Sequence, residues 1–323
     1  MKRIIPVLLC LTLVLGLIPV LSGCGDPPEI TPVDNNGITI VCTCPAAVAL
    51  VNPLTLNYHE DGGDRSRVVT VVSMYKPGQD IHSFEPTAKN IITLANADVV
   101  VCTGAESWLD AALRSSGNTV AHVVSMMEAC DIYSTNHDHE HQHGDDSCAL
   151  IGQDEHVWLS VEYATRIVLA VTDALKEADK DNAAIWEKHA EEYNAELTAL
   201  HVEFLNMMES ATRDTVVIAD RHPFVYLFSD LGLNCVAAFP GCSSETSASF
   251  ETQTKLIETV RSLSLPYIFV IEGSDRKVAE VVAAETGAEI LTLYSLQIVT
   301  DHEPISYVDV MRANLENLKK ALQ

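Results

Sequence analysis

The sequence predicts an α/β protein built as two parallel-sheet lobes joined by a single long helix. Three observations carry that expectation. Short β-branched runs alternate with segments of helical period, the alternation occurs twice, and the two stretches are separated by residues 182–210, which contain neither Gly nor Pro. Strand and crossover helix in alternation is the pattern of a parallel sheet covered on both faces. In the separating segment Trp186, His189, Tyr193, Leu197, Leu200 and Phe204 recur three or four residues apart, so one amphipathic helix of roughly 40 Å is expected there. A single rigid connection of this kind predicts a small rocking of the lobes rather than a wide closure.

The elements follow in chain order. Lys2 and Arg3 precede an apolar run from Ile4 to Leu21, which makes residues 1–23 a secretory signal. The run ends in Leu21-Ser22-Gly23-Cys24, similar to the lipobox of bacterial lipoproteins, so Cys24 is the expected lipidation site and membrane anchor. Pro27, Pro28 and Pro32 mark residues 24–37 as a flexible tether. The N-terminal α/β lobe is expected over 38–181, with strands at Ile38–Cys44, Arg67–Met74, Asp98–Thr103 and Val120–Ser125 and helices at Thr87–Ala95, Ser107–Arg114 and Val161–Ala178. The linking helix takes 182–211. The C-terminal α/β lobe, 212–323, repeats the grammar with strands Thr215–Ala219, Cys235–Phe239, Tyr267–Glu272 and Glu289–Leu293 and helices near 248–263, 275–286 and 306–322.

The formal net charge of -25 argues against nucleic acid and anionic lipid as binding partners. An acidic surface also concentrates divalent cations without choosing among them. Of nine cysteines, Cys10 leaves with the signal and Cys24 takes lipid. Cys42, Cys44, Cys102, Cys130, Cys148, Cys235 and Cys242 remain, an odd number, with Cys130–Cys148 and Cys235–Cys242 the pairings to test. Alternation puts Cys42 and Cys44 on one face of an apolar strand, where buried thiols are a better reading than a thiolate site.

Chemistry concentrates in histidines. His82 stands in Asp80-Ile81-His82-Ser83-Phe84-Glu85-Pro86, His156 in Asp154-Glu155-His156-Val157-Trp158-Leu159, and His222 in Asp220-Arg221-His222-Pro223. Each lies at the end of a strand or loop, where open α/β sheets gather ligands. Imidazole nitrogen with one or two oxygens is a donor set that Zn(II) prefers, so the three are candidate metal ligands in the interlobe cleft. The tract His137–Asp146 is nearly all imidazole and carboxylate, which suits a mobile loop that collects metal near the tighter site. His59, His122, His189, His201 and His302 are read as solvated or packing residues on helical faces and in polar loops.

The block DIHSFEPTAKNIITLANADVVV from Asp80, DEHVWLS from Asp154 and SYVDVMRANLENLKKAL from Ser306 resemble the zinc- or manganese-binding lipoproteins that serve bacterial ABC importers. The resemblance covers nearly all of the mature chain. It implies two lobes around a long helix, Zn(II) carried as bound cargo, and an ABC permease with its ATPase as partners. His82 and His156 match the first two family ligands, and the third falls within Asp220–His222, where this chain carries one extra residue. A third imidazole favours zinc, so His222 is chosen. The fourth family ligand, usually acidic, corresponds to Tyr294, which leaves that position to water, Glu140 or Glu272. A manganese-type binder and a metal-dependent adhesin share this fold and are the alternatives. A zinc hydrolase is disfavoured because the chain has no GxSxG and its HExxH match, His139-Glu140-His141-Gln142-His143, falls inside the polar tract and not in a segment of helical period. A non-enzymatic monomer is expected.

Overall fold

β-Branched runs with no polar face must be covered on both sides, and the first strand shows this. β1 (Ile38–Cys42) keeps no residue exposed, and the computed structural model, which describes residues 37–132, 154–241, 248–298 and 306–323, surrounds it with helices. The first lobe continues through α1 (Pro45–Thr55), β2 (Val69–Ser73), α2 (Ala88–Ala95), β3 (Val99–Cys102), α3 (Leu109–Ser116), β4 (His122–Ser125), α4 (Met126–Ala129) and α5 (Val161–Ala178). α6 (Ala183–Glu209) leads to the second lobe: β5 (Thr215–His222), α7 (Val225–Leu231), β6 (Asn234–Pro240), α8 (Phe250–Leu263), β7 (Tyr267–Ile271), α9 (Lys277–Thr286), β8 (Glu289–Leu293) and α10 (Tyr307–Leu322). All described residues fall in the compact unit Asn36–Gln323. The signal segment, Cys24, the 137–146 tract with Glu140, Cys148, Cys242 and His302 lie outside the described residues.

Both sheets are four-stranded and wholly parallel, in the orders β2-β1-β3-β4 and β6-β5-β7-β8. The two orders are the same: second strand, first, third, fourth. Each sheet therefore reverses its winding between its first and third strands, at β1/β3 and β5/β7, and a crevice opens beyond the carboxyl ends of those strands.

α6 is 27 residues long, about 40 Å at 1.5 Å per residue, and buries the expected stripe of Trp186, His189, Tyr193, Leu197, Leu200 and Phe204, extended by Met207. It is more than a strut. It packs on α1 and α5 on one side and on α7 and α10 on the other, while α10 also reaches α1. A single apolar core runs through Ile40, Trp158, Trp186, Phe204, Phe228 and Tyr307, and a second fills the far side of β5 and β7 around Val217, Ile268, Leu256 and Ala279. Wide opening of the lobes would expose that shared core to water at about 25 cal/mol for each Å² of apolar surface, so only small relative motion is cheap.

Three sequence expectations change. α1 was not among the expected helices; it tolerates two prolines, because Pro45 occupies the first turn, where its missing N–H costs nothing, and Pro53 falls in the last. β1 consequently stops at Cys42, and Cys44 is not on the strand: it caps α1, its Sγ accepting from the Ala47 N–H at 3.4 Å. Both thiols are buried as expected, and burial pushes them, with Cys102, far above the ordinary thiol range, which makes them poor metal ligands. His122 is on edge strand β4, not on a helix or in a loop. His189 packs in the core as the stripe implies, its ring nitrogens bonded to the Leu54 carbonyl (2.7 Å) and Asp61 Oδ2 (2.9 Å).

The start of α6 is held by one buried carboxylate. Asp179 accepts from Tyr58 Oη (2.7 Å), Trp186 Nε1 (3.1 Å), Asn182 Nδ2 (2.9 Å) and the Arg67 guanidinium. Asp179→Ala is expected to cost about 3–5 kcal/mol, since it strands a cation and two buried donors at once. Urea unfolding measures this, and a midpoint unchanged from wild type would remove Asp179 from the account.

Candidate metal centre

A local device recurs at the first two histidines. Asp80 Oδ1 accepts the backbone N–H of His82 at 2.9 Å and caps the single 3-10 turn Ile81–Ser83. Asp154 Oδ1 accepts the backbone N–H of His156 at 2.9 Å, just ahead of the 3-10 turn Val157–Leu159. In both, an aspartate two residues upstream fixes the backbone that carries the ring. His156 is fully buried against Trp158, ring centres 5.0 Å apart, and the Trp158 indole donates to the Ser295 carbonyl of the second lobe at 2.8 Å.

The third histidine comes from a bulge. β5 runs three residues beyond Ala219, and its pairing with β6 steps from Ile218↔Ala237 to Arg221↔Phe239, so the bulged strand spends one residue more than its partner. A bulge of this kind re-aims side chains beside a site, and here it absorbs the extra residue noted in the sequence. His222 is therefore the last residue of the strand rather than a residue following it. Arg221 turns to Asp80 Oδ2 at 3.2 Å and ties the cap of His82 to the second lobe.

His82 and His156 have ring centres 5.5 Å apart. Two imidazoles sharing one tetrahedral zinc, with Zn–N bonds of about 2.0–2.1 Å, have centres about 5 Å apart, so this pair stands near that spacing. Their Nδ1 atoms face carboxylates: His156 Nδ1 donates to Asp154 Oδ1 at 2.7 Å and His82 Nδ1 to Glu155 Oε1 at 3.1 Å. A carboxylate on one nitrogen sets the tautomer and leaves Nε2 as the atom that a metal would take. Glu155 is held in turn by Thr103 Oγ1 at 3.2 Å, and Thr103 by Glu106 through its backbone N–H at 2.8 Å. Gly104, with φ of +99°, lets this loop pass so close to Ser125 Oγ that a Cβ would sit 2.3 Å from it.

The electrostatics divide the rings. Burial pushes His82 down, but the hydrogen bond and charge of Glu155 override it and hold the ring above its ordinary pKa. Asp154 and Glu155, which burial alone would raise, are kept below the ordinary carboxylate range by the histidines they face. His222 is lowered to about 4, chiefly by burial and further by His156, against an opposing pull from Asp154. Among the described residues its Nδ1 is buried without a hydrogen-bond partner, as is Asp220 Oδ2.

Among the described residues, no three His, Cys, Asp or Glu side chains already converge as donors around one point. The pair His82 and His156 is assembled; His222 is coupled to it electrostatically but not gathered with it. Glu272, a suggested fourth donor, has other work: its oxygens accept from the Ser295 N–H (2.7 Å), Ser295 Oγ (2.7 Å) and the Gln297 N–H (3.3 Å). Tyr294 is 39% exposed, its backbone tied to Asn314. Two site residues were missed. Glu155 carried a signal, an acid directly beside a candidate ligand; Gln297, whose Oε1 lies 3.1 Å from His82 Nε2, carried none.

The model of a family described as zinc-uptake complex component A, periplasmic, matches residues 62–321. The high-affinity zinc uptake system protein ZnuA of Bacillus subtilis is 28% identical over 312 residues, 89% of this chain and 97% of that protein. Among solved structures, the metal-dependent lipoprotein YcdH of Bacillus subtilis superposes with a TM-score of 0.71 at 24% identity, covering 88% of this chain and all of that one. The laminin-binding protein Lmb of Streptococcus agalactiae, described as having adhesin and metal transporting activity, gives 0.69 at 21% identity over 89% of this chain and all of its own. At such identities the two structures speak for the two-lobed fold alone.

Proposed function

We propose that this chain, which belongs to the family of periplasmic zinc-uptake complex component A, captures Zn(II) outside the cytoplasm and delivers it to an ABC importer. The observation that carries the reading is the pairing of His82 and His156 at 5.5 Å, each ring turned by a carboxylate so that Nε2 is presented. The relative from Bacillus subtilis, named for high-affinity zinc uptake and matched along nearly its whole length, supports the choice of cargo. His82, His156 and His222 hold the ion. His222 supplies the donor from the second lobe, so its coordination draws the lobes slightly together, and the unpartnered buried nitrogen gains a use.

Asp154 and Glu155 carry two negative charges one atom beyond the ligating rings, opposite in sign and equal in number to the charge of the ion. The cargo is bound and released unchanged, and no chemical step is assigned to any residue. The signal at 1–23, the tether at 24–37, a lipid anchor on Cys24, the lobe boundaries at 38–181 and 212–323 around a link at 182–211, a monomeric state, and a permease with its ATPase complete the proposal.

Zinc titration against a competing chelator tests it. His82→Ala and His156→Ala are each expected to weaken binding by more than the 10–100-fold that supporting residues of a metal site are worth. Deletion of 137–146 is expected to cost less than tenfold by the same scale. Equal losses in all three would move the main site to the deleted tract.

A further inference from the structure

Resting on the zinc reading above, we infer that Thr103 is a positioning residue of the metal site, its hydroxyl holding Glu155 so that the neutral His82 ring carries its proton on Nδ1 and keeps Nε2 bare for the ion. Two acceptors face this ring, Glu155 Oε1 at Nδ1 (3.1 Å) and Gln297 Oε1 at Nε2 (3.1 Å). A neutral imidazole has one ring proton and can satisfy only one of them. If Gln297 takes the proton, Nε2 is closed to metal. If Glu155 takes it, Nε2 is open, and the Gln297 amide can turn to offer its NH2 instead. A carboxylate forms a hydrogen bond roughly twice as strong as a neutral acceptor does, so the outcome follows Glu155 as long as Glu155 stays in place.

Thr103 is what keeps it there. The second carboxylate oxygen, Glu155 Oε2, accepts from Thr103 Oγ1 at 3.2 Å. The direction of that bond is fixed from both ends. An ionised carboxylate only accepts, and the Thr103 oxygen already accepts the Ala105 N–H at 3.0 Å, which leaves the hydroxyl proton free to point at Glu155. With one oxygen tied to Thr103, the other is aimed at His82 Nδ1, and the ring proton follows it.

The hydroxyl is held by the fold rather than by its partner. Thr103 is buried just past the end of β3, and Glu106 clamps this turn by accepting the Thr103 N–H (2.8 Å), the Gly104 N–H (2.9 Å) and the hydroxyl of Thr43, the residue that follows β1. β1 and β3 flank the point where the first sheet reverses its winding, so the clamp sits in the crevice where such sheets gather ligands. The sheet thus sets the Thr103 hydroxyl, the hydroxyl sets Glu155, and Glu155 sets which nitrogen of His82 is bare.

Ring tautomers are read in the zinc-free mature chain from long-range 1H–15N correlations, in alkaline buffer where the imidazole is neutral, and zinc affinity is read by chelator competition. Wild type is expected to show His82 with its proton on Nδ1. Thr103→Val, which keeps the shape of the side chain and loses the hydroxyl, is expected to shift the His82 signals toward the Nε2–H form and to weaken zinc roughly tenfold, the low end of the range for groups supporting a metal site. Thr103→Ser restores the hydroxyl and should restore both readings. If valine fails to fold, Thr103→Ala carries the same expectation. Once Glu155→Ala has removed the carboxylate, adding Thr103→Val is expected to cost no further affinity. An unchanged His82 tautomer in the valine variant, or losses that multiply in the double variant, would overturn the inference while leaving the receptor intact. A wild-type chain that binds no zinc at all would instead sink the zinc reading, and the tautomer readings would still decide what Thr103 does.

Discussion

His222→Leu is expected to weaken zinc binding at least 100-fold, beyond the range assigned to supporting residues, and at the same time to stabilise the zinc-free protein by about 1 kcal/mol. The two effects have one cause. His222 is 6% exposed, its Nδ1 has no partner among the described residues, and burial holds its pKa at about 4. An unsatisfied buried polar group costs about 1–3 kcal/mol, and a leucine of similar volume against Phe228, whose ring lies 5.2 Å away, removes that cost. Zinc-free stability is measured by urea unfolding with chelator present, and affinity by competition. A leucine variant that unfolds more easily and still binds zinc normally would make His222 a packing residue and not a ligand.

The second large effect is the dependence of affinity on pH, and the two lobes contribute to it unequally. A ring must be unprotonated to bind metal. His82 stands above the ordinary histidine value of 6.5 because Glu155 favours its charged form, so protons compete with zinc at this ring at a higher pH than at an ordinary histidine. His222, at about 4, stays neutral throughout that window and adds nothing to the loss. Below the His82 pKa each pH unit is expected to cost about tenfold in affinity, so the dissociation constant at pH 5.5 should exceed that at pH 7.5 by at least this factor. Equal constants at the two pH values would contradict the assignment of His82.

The stability of the zinc-free protein follows the same groups with different signs. His82, raised on folding, contributes stability that is fully present below about 6.5 and is lost as the pH rises through its folded value. His222 is lowered, so the unfolded chain binds the proton first and stability falls as the pH drops from about 6.5 toward 4. Asp154 and Glu155, both lowered, contribute stability above the ordinary carboxylate range that disappears as acid reaches their folded values. Below pH 4 all but His82 act against the fold.

Much of this arrangement was legible in the sequence, for identifiable reasons. Strands such as Glu289–Leu293 and helices such as Val161–Ala178 fall on their expected bounds because β-branched runs and capped helical periods are local signals. The stripe from Trp186 to Phe204 announced α6 in the same way. α7 (Val225–Leu231) was missed because it is only seven residues long and opens with four consecutive apolar residues, too short a run to show a helical period. The aspartates two residues before His82 and His156 were visible in the sequence, whereas their hold on the histidine backbone is seen only in the structure. The partnership of His82 with Gln297 was not, since it joins residues 215 positions apart through a loop whose course depends on Glu272 and Trp158. Sequence periodicity reports local conformation, whereas such a contact exists only once both lobes are folded.

The most direct test of a single zinc ion held between the lobes is an anomalous-difference map, recorded at the zinc edge from crystals of the zinc-loaded mature chain. The account predicts one dominant peak about 2.0–2.2 Å from Nε2 of both His82 and His156 and from a ring nitrogen of His222. A dominant peak elsewhere, or one bonded to residues of the first lobe alone with the His222 ring turned away, would contradict it.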